Sequence, residues 1–135
     1  MMYDADRQVL VEYRVSQAEQ SILEVEKLIE FDLLNIAVNR IYYGMFYCLN
    51  ALAIQDEYQS SKHLQLMGWF NQTYIKTGVI DVKYGRILRD AYKNRSDGDY
   101  APFIVFGKED VAAMFHGMKD FVETVCSLIR KRYQL

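Results

Sequence analysis

The chain has 135 residues, of which 51% are apolar, and a formal charge of −2. It is therefore of one-domain size and lacks a global basic field, and any RNA contact has to be a local patch. Its two cysteines, Cys48 and Cys126, fall inside apolar helical pattern without metal-like spacing and read as buried thiols of a reducing compartment.

The beginning of the chain, Tyr3-Asp4-Ala5-Asp6, is acidic and carries no apolar leader, which argues against a signal peptide. The longest greasy stretch, Ile41 to Ile54, is fourteen residues long and includes Gly44 and Asn50. A bilayer span takes about 20 residues. A cytoplasmic protein with no membrane segment is expected.

One proline and no alternating apolar pattern predict an all-α chain. The first helix shows Val11, Val15, Ala18, Ile22, Val25 and Ile29 along one seam, with glutamates opposite. Asp32 is placed to cap a second helix running to about Gln55, apolar on most sides and therefore central, with the seam Leu34, Val38, Ile41, Met45 and Leu52. A second face of that helix, Ile36, Arg40, Tyr43, Tyr47 and Asn50, mixes polar and aromatic character in a way plain core does not.

Ser60 or Ser61 caps a third helix that Gly78 ends, and Asp81 caps a fourth running toward Arg95. Residues 97–107, with Gly98, Pro102 and Gly107, are predicted as loop. The last helix opens with Glu109 and Asp110, closes with Arg130-Lys131-Arg132, and buries Val111, Met114, Met118, Phe121, Val125 and Leu128. The expected architecture is an up-and-down bundle of five antiparallel helices, one domain over residues 1–135.

Within that frame the most telling stretch is Arg95-Ser96-Asp97-Gly98-Asp99-Tyr100. Tyr84, Leu88, Ala91 and Arg95 share one helical face, so the arginine points into the apolar stripe. A guanidinium there stays charged and needs a partner. Asp97 or Asp99 can make it an internal strut; an anionic ligand can fill the same need. Arg86, Arg89 and Lys93 form a basic stripe on the opposite side of the same helix, but Asp90 beside it makes it read as a solvated mixed-charge face.

No Glu-x-x-His occurs, which removes the carboxylate-bridged metal pair of helical bundles. Cys48, His63, His116 and Cys126 lack the local pairing of a zinc site, so no metal and no cofactor is expected. His63, beside Lys62 at a helix start, stands where free backbone N–H groups gather and phosphate can be met, although taken alone it reads as a histidine that bonds backbone or solvent. His116 reads as packing or surface.

These residues together resemble the HEPN family, small helical bundles encoded beside minimal nucleotidyltransferases. The matching pieces are Tyr13-Arg14 with Ala18, then Ala37-Val38-Asn39-Arg40-Ile41-Tyr42-Tyr43-Gly44-Met45-Phe46, then Lys62-His63, Phe70, Thr77-Gly78 and Arg95 through Tyr100. The resemblance implies a homodimer and a metal-independent RNA-cleaving site in which an arginine is followed four to six residues later by a histidine. Arg95 is the family arginine by this likeness, with Asp99 and Tyr100 beside it as catalytic candidates. The histidine is missing: Asp99, Tyr100 and Ala101 stand in its place. A tyrosine of pKa about 10 is a poor base at neutral pH.

The resemblance therefore implies the RNA-acting component of a toxin–antitoxin-like module, with a minimal nucleotidyltransferase as partner and Tyr100 as the tyrosine that partner adenylylates. The alternative is a dimeric module that binds a nucleotide or RNA without catalysis, through Arg95 with Arg40, Tyr43, Lys62 and His63.

Overall fold

The computed structural model describes residues 3–100, with the backbone alone for Tyr100, and 104–133. These residues form five α-helices, one π-helical turn and no strand. The helices are α1 (Asp4–Glu30), α2 (Leu34–Gln55), α3 (His63–Phe70), α4 (Val82–Tyr100) and α5 (Lys108–Tyr133), with the π turn Asn71–Ile75 directly after α3.

Apolar residues at three- and four-residue spacing decide which face each helix turns inward. Val11, Val15, Ala18 and Val25 of α1 are buried, while Ile22 and Ile29 stay half-buried at the margin. Ser21 shares the buried stripe because its hydroxyl donates to the Gln17 carbonyl at 2.8 Å, which removes the cost of hiding it. Opposite Ser21, Gly44 lets α1 and α2 come close: a Cβ there would stand 3.1 Å from Ser21 Cβ and collide with the end of Met118.

Helix α2 packs against α1, α3, α4 and α5 and is the centre of the bundle. Val38, Ile41, Met45 and Leu52 are buried as expected, joined by Ala37, Tyr42, Cys48 and Leu49. Both cysteines are free and buried. Burial pushes the Cys48 thiol up, and the neighbouring Cys126 sulfur adds to the effect. On α5 the buried stripe is wider than the predicted seam, taking in Phe115, Val122, Cys126 and Ile129, with Met114 and Leu128 half-buried.

Four local expectations are corrected. Asp32 does not cap α2: it occupies the left-handed region at φ 58°, ends α1, and pairs with Lys108 at 3.1 Å. The Leu33 N–H reaches back to the Leu28 carbonyl, a helix-ending pattern usually built on glycine, so the acid serves the preceding helix. Neither Ser60 nor Ser61 is the cap of α3, which begins at His63. Ser60 instead accepts the Lys62 N–H at 3.2 Å and donates to Gln65 Oε1 at 2.8 Å, shaping the turn before the helix.

The third helix does not run unbroken to Gly78 but passes into the π turn, where the Lys76 N–H bonds the Asn71 carbonyl at 2.8 Å. Gly78 then reverses the chain at φ 77°, as a glycine can. Asp81 caps α4 as predicted, its Oδ1 accepting the Lys83 N–H at 2.9 Å. Finally, residues 97–100 are helix rather than loop. One glycine costs a helix only about 1 kcal/mol. The Arg95–Asp99 ion pair, one turn apart, and the anchoring of Arg95 on α2 offset that cost.

The π turn also completes a polar lock. Its Tyr74, 2% exposed, donates to Asp56 at the end of α2, and Arg132 of α5 reaches the Tyr74 oxygen at 2.8 Å and Asp56 at 2.7 Å. Burial and then the Asp56 hydrogen bond push the Tyr74 phenol up to about 12. No helix among the described residues is long and apolar enough to cross a membrane.

Candidate functional site

Arg95 lies where the helical phase places it. Tyr84, Leu88 and Ala91 of α4 are buried, and the arginine continues their face, its side chain 19% exposed. The face meets α2 at two adjacent tyrosines. Arg95 Nη2 donates to the Tyr43 hydroxyl at 3.0 Å, and the guanidinium carbon lies 5.3 Å from the Tyr43 ring centre and 5.9 Å from that of Tyr42. Such cation–aromatic contacts hold a charge in a half-dry place without neutralising it.

Asp99 is the nearest carboxylate, with Oδ2 3.0 Å from Arg95 Nε. The angle does not make a hydrogen bond, and the buried Nε–H has none. Asp97, the other candidate strut partner, makes no ion pair with Arg95 among the described residues. The guanidinium is therefore oriented and only partly satisfied, with one exposed carboxylate to its side.

The structure brings His63 into the same place from α3. Its ring stacks on Phe46 at 4.2 Å and 19°, and meets Tyr43 edge-on at 6.1 Å. Nδ1 lies 2.7 Å from the hydroxyl of Tyr42, which is 0% exposed. Burial raises the Tyr42 phenol far above the ordinary range, against the opposing pull of Arg95, so the phenol keeps its proton and donates it. Nδ1 then accepts, and the neutral imidazole carries its hydrogen on Nε2. Burial and then the nearby Arg95 charge lower the His63 pKa from 6.5, which keeps the ring neutral at pH 7.

The other predicted residues divide. Tyr43 sits between two cations, because Arg40 lies 5.9 Å from the same ring centre and 5.9 Å from that of Tyr47. Arg40 thus adjoins the centre across Tyr43, and its Nε is 3.6 Å from Glu24 of α1. Lys62 is exposed immediately before His63. The Tyr100 side chain lies outside the described residues. Arg86, Arg89 and Lys93 are exposed, and Arg89 stands 3.7 Å from Asp90, as a solvated mixed-charge face requires. His116 is exposed on α5.

Sequence reasoning did not single out Tyr42, Phe46 or Tyr92 as site residues. Tyr92 packs edge-on against Tyr42 at 5.6 Å and closes the box from the α4 side. Tyr42 carried a signal: it follows Ile41 on the core side of α2 yet ends in a hydroxyl, which a buried phenol must satisfy. The assembled centre is an arginine and a neutral imidazole donor, both held by aromatic rings of α2. It can grip an anionic oxygen.

A family model described as the HEPN domain matches residues 11–131, nearly the whole chain. The protein belongs to the HEPN domain family. It is 28% identical over 124 residues to a "UPF0332 protein" of Thermotoga maritima, covering 92% of this chain and 94% of that one. It is 34% identical over 106 residues to the Methanocaldococcus jannaschii protein named "Putative toxin MJ0142", covering 78% and 72%. A second protein of that organism, "Putative toxin MJ0605", is 31% identical over 83 residues, 62% of each chain.

Proposed function

We propose that this chain is the toxin-like HEPN component of a two-component module: a cytoplasmic homodimer that acts on RNA and is controlled by a separate minimal nucleotidyltransferase. The names of two relatives support the toxin-like part. One observation carries the site: the largely buried Arg95 guanidinium spends one donor on Tyr43 and has only the exposed Asp99 carboxylate to its side, next to an imidazole whose Nε2–H makes no hydrogen bond among the described residues. A phosphodiester oxygen supplies what both groups lack. Asp99 orients Arg95, and Tyr100, the next residue, is the tyrosine whose oxygen would attack the α-phosphorus of ATP on the partner enzyme, taking an adenylyl group and releasing pyrophosphate.

A second reading is favoured by a specific observation. The Nδ1 lone pair of His63 is committed to Tyr42, so the folded site offers no neutral base for a 2′-hydroxyl. On this reading the module binds RNA or a nucleotide without cutting it. Retention and cleavage of short single-stranded RNA, measured on wild type and Arg95→Ala, separate the two. Retention that Arg95 governs, with cleavage, supports the first reading; retention alone supports the second; no retention and no cleavage removes both. Incubation with the nucleotidyltransferase and ATP, followed by intact mass, tests the partner: an unchanged mass at Tyr100 and no complex would sink that part.

A further inference from the structure

One helical turn beyond Phe46, the end of α2 and the start of α3 border an open groove of about 550 Å³, a volume in the range of small-molecule sites. Ala53 and Leu66 floor it, and Asn50, Tyr58, Gln59 and Lys62 rise around it with no carboxylate among its lining residues. Gln65 and Ser60 complete the wall and are already organised: the Ser60 hydroxyl donates to Gln65 Oε1 at 2.8 Å, which commits the amide oxygen and leaves the NH2 group with two donors to offer.

Tyr58 is ordered as well. The chain leaves α2 through Glu57 at φ 60°, and the Tyr58 N–H closes the turn on the Ala53 carbonyl at 2.8 Å. Trp69 backs the Tyr58 ring at 4.9 Å and 4°, a parallel stack that fixes the ring at the groove edge. A held aromatic plane, amide donors and one lysine, Lys62, which directly precedes His63 in the chain, are the parts with which proteins take an unstacked base of single-stranded RNA.

We infer that this groove receives a nucleobase of single-stranded RNA, the one adjoining the phosphate held at Arg95 and His63. The base stacks at Tyr58, its acceptor edge faces the Gln65 and Asn50 amides, and Lys62 meets the next phosphate. The inference rests on the phosphate reading of Arg95.

Fluorescence anisotropy on the full chain tests it, using a short single-stranded RNA and an abasic strand of equal length. Wild type is expected to bind the base-bearing strand at least about fivefold more tightly, the low end of what one base–aromatic stack supplies. Tyr58→Leu with Gln65→Ala closes that gap and leaves abasic affinity unchanged, whereas Arg95→Ala weakens both strands alike. Because Tyr58 packs on Trp69, the single variant of exposed Gln65 serves where the double variant fails to fold, and it narrows the gap by itself. Equal binding of the two strands by wild type, with the Arg95 effect intact, overturns the groove and leaves the phosphate site standing. Binding of neither strand overturns both.

Discussion

Tyr42 and His63 stand on different helices, yet the phenol oxygen of one lies 2.7 Å from Nδ1 of the other. The buried phenol thereby sets which imidazole nitrogen faces the site. Nitrogen NMR of the His63 ring should show the Nε2–H tautomer in the wild type and a mixture in Tyr42→Phe. Losing this hydrogen bond costs about 1 kcal/mol. A wild-type ring protonated on Nδ1 would contradict the assignment.

Arg95→Ala is expected to lower stability by only about 1 kcal/mol, the scale of one hydrogen bond and a cation–aromatic contact, because Asp99 is left facing water rather than stranded. RNA affinity should fall by about tenfold or more, as loss of a charge-assisted phosphate contact of roughly 1.5–3 kcal/mol requires. Arg95→Lys should not restore it, since an ammonium lacks the planar fork that spans Tyr43 and a phosphate and the flat face that meets the tyrosine rings. Thermal melting and anisotropy measured side by side check both parts; a large stability loss with unchanged affinity would make Arg95 a strut.

His63 predicts a pH dependence of stability. Its pKa is lowered from 6.5 in the folded state, so below that pH the unfolded chain binds the additional proton. The stability it contributes is complete above pH 6.5 and is lost as pH falls from there toward the lowered folded value. Urea unfolding at about pH 7.5 and about pH 5.5 should show a larger loss for wild type than for His63→Gln, the carboxylates being common to both. Parallel losses would remove His63 from the account.

Two glycines should respond in opposite directions. Gly68 lies in α3 with nothing within 4 Å of an added Cβ, so Gly68→Ala should stabilise by about 0.5–1 kcal/mol. Gly44→Ala forces a methyl against Ser21 and Met118 where α1 crosses α2, and should destabilise by about 1–3 kcal/mol. Denaturant midpoints at constant slope measure both.

The Asp56–Tyr74–Arg132 lock ties three parts of the chain, and Tyr74→Phe should cost about 1 kcal/mol at neutral pH. The raised phenol pKa adds a signature: its contribution is whole below pH 10.0 and lost as pH rises toward about 12. Alkaline unfolding that is the same in wild type and Tyr74→Phe would contradict it.

The helices were legible in the chain because their apolar spacing is local, and so was the depth of Arg95, which depends only on its phase with Tyr84, Leu88 and Ala91. His63 was a candidate companion of Arg95 in the sequence, but its placement was not legible. His63 reaches the centre because α3 folds back onto α2 and Tyr42 receives it, a contact across twenty-one positions that no spacing rule encodes. The ends of elements misled for a related reason. Asp32 looks like a helix-starting acid, yet the closing of α1 draws it into the left-handed region, and Gly98 looks like a stop, yet the Arg95–Asp99 pair carries the helix past it.

The π turn Asn71–Ile75 gives α3 one more residue than a regular helix would use there. Deleting that residue would turn the rest of the π turn, Tyr74 included, by about 100° relative to α3. Gly85 of α4 sits against the turn, where a Cβ would be 3.1 Å from Asn71 Oδ1. The irregular turn and the missing side chain of Gly85 thus let the end of α3 lie close against α4, the helix whose buried face carries Arg95.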